Sequence, residues 1–235
     1  MRTLTPYAEG DTARLLAVLS DEKTTPDTYK QTMTALGRLM ATNVLKIAQV
    51  ERHDTVCVVC TVEDADFLAK GLVDGLEAEG VDADHLKLIC FWNERVHSFT
   101  GSDEKVFDVA PIIKEYKEDV NIDESVLIVI KSIISGACVV KTNLSALIET
   151  TLPKRVVVAA PVMLEGAEAK LASEFSSDTA QLFQYVTFAL DTDKGDDDNV
   201  IPGIGGSVYE RLGFDDKNAY VPEIVKNRRR DALGI

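Results

Sequence analysis

Histidine, tryptophan and proline are scarce in this chain, with three, one and seven among 235 residues, and bases are outnumbered, 25 Lys and Arg against 39 Asp and Glu. The histidines, His53, His85 and His97, show no metal-ligand spacing, so they read as surface or edge positions rather than a zinc site. Cysteine is also sparse: Cys57, Cys60, Cys90 and Cys138 are too few and too apolar in context for a disulfide scaffold. Cys57 and Cys60 have CxxC spacing, but a strand turns them to opposite faces, and no second pair completes a metal site. Buried free thiols in a reducing compartment are expected. No apolar run reaches the length of a membrane span, and the opening MRTLTPYAEGDTARLL lacks a signal-peptide layout. The expectation is a cytoplasmic protein with no membrane partner. A net charge of −14 argues against nucleic acid as a partner. The one basic cluster, Lys226-Asn227-Arg228-Arg229-Arg230, reads as a solvated tail or a contact for a protein partner.

What the chain does have is core-forming material, with 46% hydrophobic residues. Its centre is VLIVIKSIISGACVV, Val126 to Val140. The β-branched opening suits a strand buried on both faces. Lys131 and Ser132 break the run, and Ser135, Gly136, Ala137 and Cys138 open a segment with helical spacing. Strand, small-residue loop and helix start together make an anion cradle, because first-turn N–H groups point at whatever approaches. An ordinary tight turn is the alternative.

Around this centre, strands and helices alternate. Residues 1–24 read as a polar, weakly structured extension. Thr25-Pro26-Asp27 starts a long helix through Tyr29, Met33, Leu36, Met40, Val44 and Ile47, suited to covering the sheet or a dimer seam. TVCVVCT, LKLICFW, RVVVAAPVM and QYVTFALD read as further strands, with helices after Asp64, Ser135 and Glu165. A hairpin is expected around Thr100-Gly101-Ser102. The pattern predicts a single α/β domain: a Rossmann-like, mainly parallel sheet covered by helices. Ligands in such sheets bind beyond the carboxyl ends of the strands. The long Asp191-to-Gly213 loop lies there, with Asp191, Asp193, Asp196, Asp197 and Asp198 reading as a flexible acidic cover rather than a calcium loop. Phe91 and Trp92, at a strand end, suit core packing or stacking on a base.

Two stretches carry a family resemblance. VLIVIKSIISGAC resembles the strand and Thr-Gly-Gly-Ser-type loop that holds the 5-phosphate of phosphoribosyl pyrophosphate in the type I phosphoribosyltransferases. Pro202-Gly203-Ile204-Gly205-Gly206-Ser207 resembles the first half of the base-holding motif of the uracil phosphoribosyltransferases among them. The order of elements from 25 to 214 is similar too, with 215–235 left as a tail. The resemblance implies a β-hairpin, a C-terminal base-site loop, a homodimer, and phosphoribosyl pyrophosphate or a nucleotide as ligand. Lys131, Ser132, Ser135, Gly136, Ala137 and Cys138 would hold phosphate, and Pro202 to Ser207 the base. Glu63, Asp64 and Asp66, in the loop after the first buried strand, would hold Mg²⁺; a solvated helix start is the other reading of these acids.

The chain departs from the family pattern where the phosphate strand ends. The family has an acid there that contacts the ribose hydroxyls; this chain has Ile130, then Lys131. Gly206 stands where the base motif has Asp, and Val208-Tyr209-Glu210-Arg211 follows only loosely. Two functions are therefore expected: a divergent transferase of ribose phosphate to or from a nucleobase, or a catalytically degenerate nucleotide-binding subunit acting with a partner.

Overall fold

Long runs of β-branched residues become the middle of a sheet. The computed structural model describes residues 1–94, 96–100, 105–149, 151–195, 199–214, 216 and 219–234, with 96–100 and 105–108 described by backbone alone. In chain order it contains β1 (Arg2–Leu4), α1 (Thr12–Ser20), α2 (Pro26–Ala48), β2 (Thr55–Thr61), α3 (Val62–Asp64), a π-helical turn (Ala65–Ala69) and α4 (Lys70–Ala78). Next come β3 (Leu86–Asn93), β4 (Val96–Thr100), β5 (Lys105–Val109), β6 (Ile112–Lys117), β7 (Ser125–Ile130), β8 (Ile133–Ile134) and α5 (Cys138–Ile148). The remainder is β9 (Arg155–Leu164), α6 (Ala167–Ala172), α7 (Ser177–Ala180), β10 (Phe183–Asp191), β11 (Asp193–Lys194), β12 (Val200–Ile201), α8 (Val208–Leu212) and α9 (Glu223–Leu233).

The main sheet has the order β1-β10-β9-β7-β2-β3-β6, with β8 beside β9. Its five central strands are parallel, and β1 and β6 run antiparallel at the two edges. This is an α/β fold with a mostly parallel sheet and flanking helices, as the alternation predicts. Side chains leave each strand to alternate faces. Val56, Val58 and Cys60 pack on the side of α1, α2 and α4, and Cys57 and Val59 on the side of α5. The CxxC cysteines thus face opposite ways, and both are buried. Phe91 and Trp92 are buried too, each on its own face.

Thr25 caps α2 through its side chain, Pro26 opens it, and Gln49 ends it in the left-handed conformation. Glycines set how closely α2 meets the π-helical turn and α4. A Cβ on Gly37 would stand 2.1 Å from the Leu68 carbonyl oxygen, and one on Gly71 2.2 Å from that of Thr34. Helix backbones can approach this closely only where side chains are missing.

Several expectations change. The first 24 residues are not weakly structured: α1 buries Leu15, Leu16 and Leu19 in the core, and β1 pairs with β10. The helix expected from Ser135 begins at Cys138, because Ile133 and Ile134 first pair with Val162 and Met163. A further strand, β6, lies beyond the expected hairpin and closes the sheet edge against β3. The hairpin itself forms, β4 against β5, while its turn at Gly101 and Ser102 lies outside the described residues. The basic cluster sits on helix α9, where Arg228 donates to the Leu86 carbonyl and reaches Glu118. Asp196, Asp197 and Asp198 lie outside the described residues.

Candidate functional site

Parallel pairing brings the carboxyl ends of β2, β3, β7, β9 and β10 to one edge, where several of the residues singled out by sequence meet. The chain leaves β7 at Ile130, and the Lys131 N–H donates to the Ala159 carbonyl before the strand releases it. Ser135, Gly136 and Cys138 are half-buried and Ala137 is buried as the backbone turns into α5. That helix has no side-chain N-cap and no acid in its first turn. Its first N–H groups carry a partial positive charge unopposed by a carboxylate of their own turn. A Cβ on Gly136 would lie 3.9 Å from Lys170 Nζ, so a cation from α6 stands near the loop. Ser132 Oγ, just before the loop, is buried with no hydrogen-bond partner among the described residues, unlike most buried polar atoms.

Lys131 turns the other way. Its side chain is 8% exposed, and Nζ lies 2.6 Å from Glu63 Oε1, 2.9 Å from Asp64 Oδ2 and 3.0 Å from Thr61 Oγ1. Thr61 ends β2, and Glu63 and Asp64 form the first turn beyond it. The remaining carboxylate oxygens are also engaged. Ser132 N–H donates to Asp64 Oδ1 at 3.0 Å, and the Tyr209 hydroxyl of α8 to Glu63 Oε2 at 2.9 Å. Burial opposes ionisation of Glu63, but Lys131 beside it prevails and holds the carboxyl down at about 2. Burial pushes Asp64 the other way, against the pull of Lys131. Burial alone would lower Lys131; Asp64 and then Glu63 outweigh it and raise the ammonium above its ordinary value. Lys131 is a fixed cation, not a nucleophile. Burial, and after it the charge of Glu63, raises the Tyr209 phenol.

Asp66 goes elsewhere. Within the π turn its two carboxylate oxygens accept from the N–H groups of Glu223 and Ile224, each at 2.8 Å, and from the Tyr220 hydroxyl. It therefore caps α9. Phe214 and Tyr220 stack with ring centroids 4.2 Å apart, and Trp92 Nε1 donates to the Tyr220 carbonyl at 3.0 Å, so the C-terminal segment lies over the ends of β2 and β3. Glu63, Asp64 and Asp66 do not converge. Among the described residues no group of three or more His, Cys, Asp or Glu side chains is arranged to hold a metal ion. The residues present do not fit Mg²⁺, since an ammonium already sits between Glu63 and Asp64. Nor is this helix start a solvated one, because Asp64 is fully buried.

The Pro202-to-Ser207 loop adjoins the β7 loop: a Cβ on Gly203 would lie 3.4 Å from Ile133 Cδ1 and only 2.2 Å from the Val200 carbonyl oxygen. The Ile201–Pro202 peptide is cis. Gly203 N–H donates to Asp191 Oδ2 at 2.8 Å, while Arg2 pairs with Asp191 through two nitrogens and reaches the Gly203 carbonyl. Ile204 is buried and its carbonyl accepts from Tyr29 at 3.0 Å. Gly205 packs on the end of α1, whose Leu19 carbonyl oxygen would be 2.5 Å from an added Cβ. Pro202, Gly206 and Ser207 remain exposed. Sequence reasoning passed over Thr61, Lys170 and the partnership of Tyr209; only the strand-end position of Thr61 signalled any of them.

Comparison by sequence finds no matching family model and no matching curated protein. Comparison by structure finds the AQ2163 protein from Aquifex aeolicus, 13% identical over 86% of this chain and 93% of that chain, with a TM-score of 0.63. This likeness shows a shared fold. Type I phosphoribosyltransferases also appear among the structural neighbours. Orotate phosphoribosyltransferase from Mycobacterium tuberculosis H37Rv, in complex with inorganic phosphate, is 12% identical over 78% of this chain and 89% of that chain, with a TM-score of 0.45. A hypothetical protein from Neisseria gonorrhoeae with bound ppGpp is 12% identical over 72% and 82%, with a TM-score of 0.44. At those scores neither likeness bears on ligand or activity.

Proposed function

We propose that the chain binds a phosphate-bearing ligand of the nucleotide or phosphoribosyl class at the carboxyl edge of the sheet, and acts as a binding subunit rather than a magnesium-dependent transferase. The observation that carries this reading is the loop of Ser135, Gly136 and Ala137 entering α5, with no capping side chain, no acid in the first turn and Lys170 close to Gly136. Backbone N–H groups at such a loop suit a phosphate oxygen. The orphan hydroxyl of Ser132 adds support. Exposed Gly206 and Ser207, in the loop that adjoins the β7 loop, offer backbone groups to the rest of the ligand. Against transfer chemistry stand Ile130, which cannot accept a ribose hydroxyl, and the closed Lys131 cluster at the end of β2.

Calorimetric titration with phosphoribosyl pyrophosphate and with nucleoside monophosphates, on wild type and Gly136→Trp, tests the site. Binding by wild type that is lost in the variant is expected. Absence of binding by any of these ligands, or binding untouched by the substitution, removes the proposal. Pyrophosphate release on adding nucleobases to a phosphoribosyl pyrophosphate complex would restore the transferase reading.

A further inference from the structure

An ammonium group has three protons, and Lys131 finds three acceptors: Glu63 Oε1 at 2.6 Å, Asp64 Oδ2 at 2.9 Å and Thr61 Oγ1 at 3.0 Å. Two carboxylates and a hydroxyl converging on one point is also an oxygen donor set that a hard divalent cation takes. The other two carboxylate oxygens are held by Ser132 N–H and the Tyr209 hydroxyl, so all four have partners and none is left for an external ion. The cluster bridges the ends of β2 and β7 and extends through Tyr209 to α8, which makes it a junction between three parts of the chain. We propose that Lys131 is a built-in cation standing where a divalent metal would otherwise bind, so that the two carboxylates at this edge of the sheet are held together without any metal. Because the cation is tethered to the chain, the geometry at the end of β2 does not depend on metal supply. The inference goes beyond the ligand reading above and stands whether or not a nucleotide binds at the neighbouring loop.

The test uses Mn²⁺ as the probe on the whole 235-residue chain with no nucleotide present, followed by electron paramagnetic resonance of free Mn²⁺ and by thermal unfolding. Wild type is expected to take up no stoichiometric Mn²⁺. Lys131→Ala is expected to take up one equivalent, roughly tenfold tighter or more than wild type, since vacated carboxylates are the main determinant of affinity. Adding Asp64→Asn to that variant should abolish the gain. If Lys131→Ala does not fold in metal-free buffer, Mn²⁺ should restore its circular dichroism. One equivalent of Mn²⁺ on wild type that Asp64→Asn removes would overturn the proposal. So would a Lys131→Ala variant that neither binds Mn²⁺ nor is rescued by it.

Discussion

At the scale of single residues, the structure turns on Lys131. Removing one partner from a buried ion pair leaves an uncompensated charge, which costs far more than the intact pair contributes. Lys131→Met leaves Glu63 and Asp64 facing each other in a site where Asp64 is fully buried. It should lower stability by about 3–5 kcal/mol, read from urea unfolding. Acid acts on the same cluster. Glu63 lies at about 2, below its ordinary 4.5, so its ion pair stabilises fully above 4.5 and is lost as pH falls toward 2. In Glu63→Gln the fall in stability across that interval should be shallower than in wild type, measured by thermal unfolding at stepped pH. Part of this was legible in sequence: Glu63, Asp64 and Lys131 could each be assigned to the same strand-end edge. The pairing was not, because a lysine and two acids 67 and 68 residues apart meet only through the parallel pairing of β2 and β7.

At the scale of elements, close backbone contacts and distant caps decide the outcome. Gly37→Ala would place a methyl group 2.1 Å from the Leu68 carbonyl oxygen of the π-helical turn and 2.8 Å from the Leu72 nitrogen of α4, so α2 must move away from both. A loss of about 1–3 kcal/mol is expected, with a matching fall in thermal stability. Asp66→Ala removes two hydrogen bonds from the first turn of α9. Amide exchange across Glu223–Leu233 should quicken, and the cost should be about 1–2 kcal/mol. Strands β2, β3, β7, β9 and β10 could be read from their apolar runs, and α2 from its cap and periodicity. The edge strand β6 could not, since Lys114, Glu115 and Lys117 blur its alternation. Nor could the capping of α9, because its acid is 157 residues away. The small-residue loop was visible as a feature, but the short β8 inside it depends on β9 being alongside.

At the scale of the whole molecule, the sheet is closed by its two ends in sequence. Strand β1 lies on one edge through the register Arg2 to Asp191, and α9 crosses the end nearest the opposite edge, where Arg228 reaches Leu86 and Glu118. Arg2 and Asp191 form a mostly buried pair, the carboxylate wholly so, and Asp191 also holds the Gly203 N–H. Arg2→Ala should therefore destabilise the fold by about 3 kcal/mol and loosen the Pro202-to-Ser207 loop, seen as faster amide exchange there. The alternation of strands and helices foretold the covered parallel sheet. It did not foretell that the polar opening segment would complete it, because the partner of that segment lies at the far end of the chain. This separation bears on synthesis. Arg2 precedes Asp191 by 189 positions, so the strand that carries it has no partner until β10 has been made.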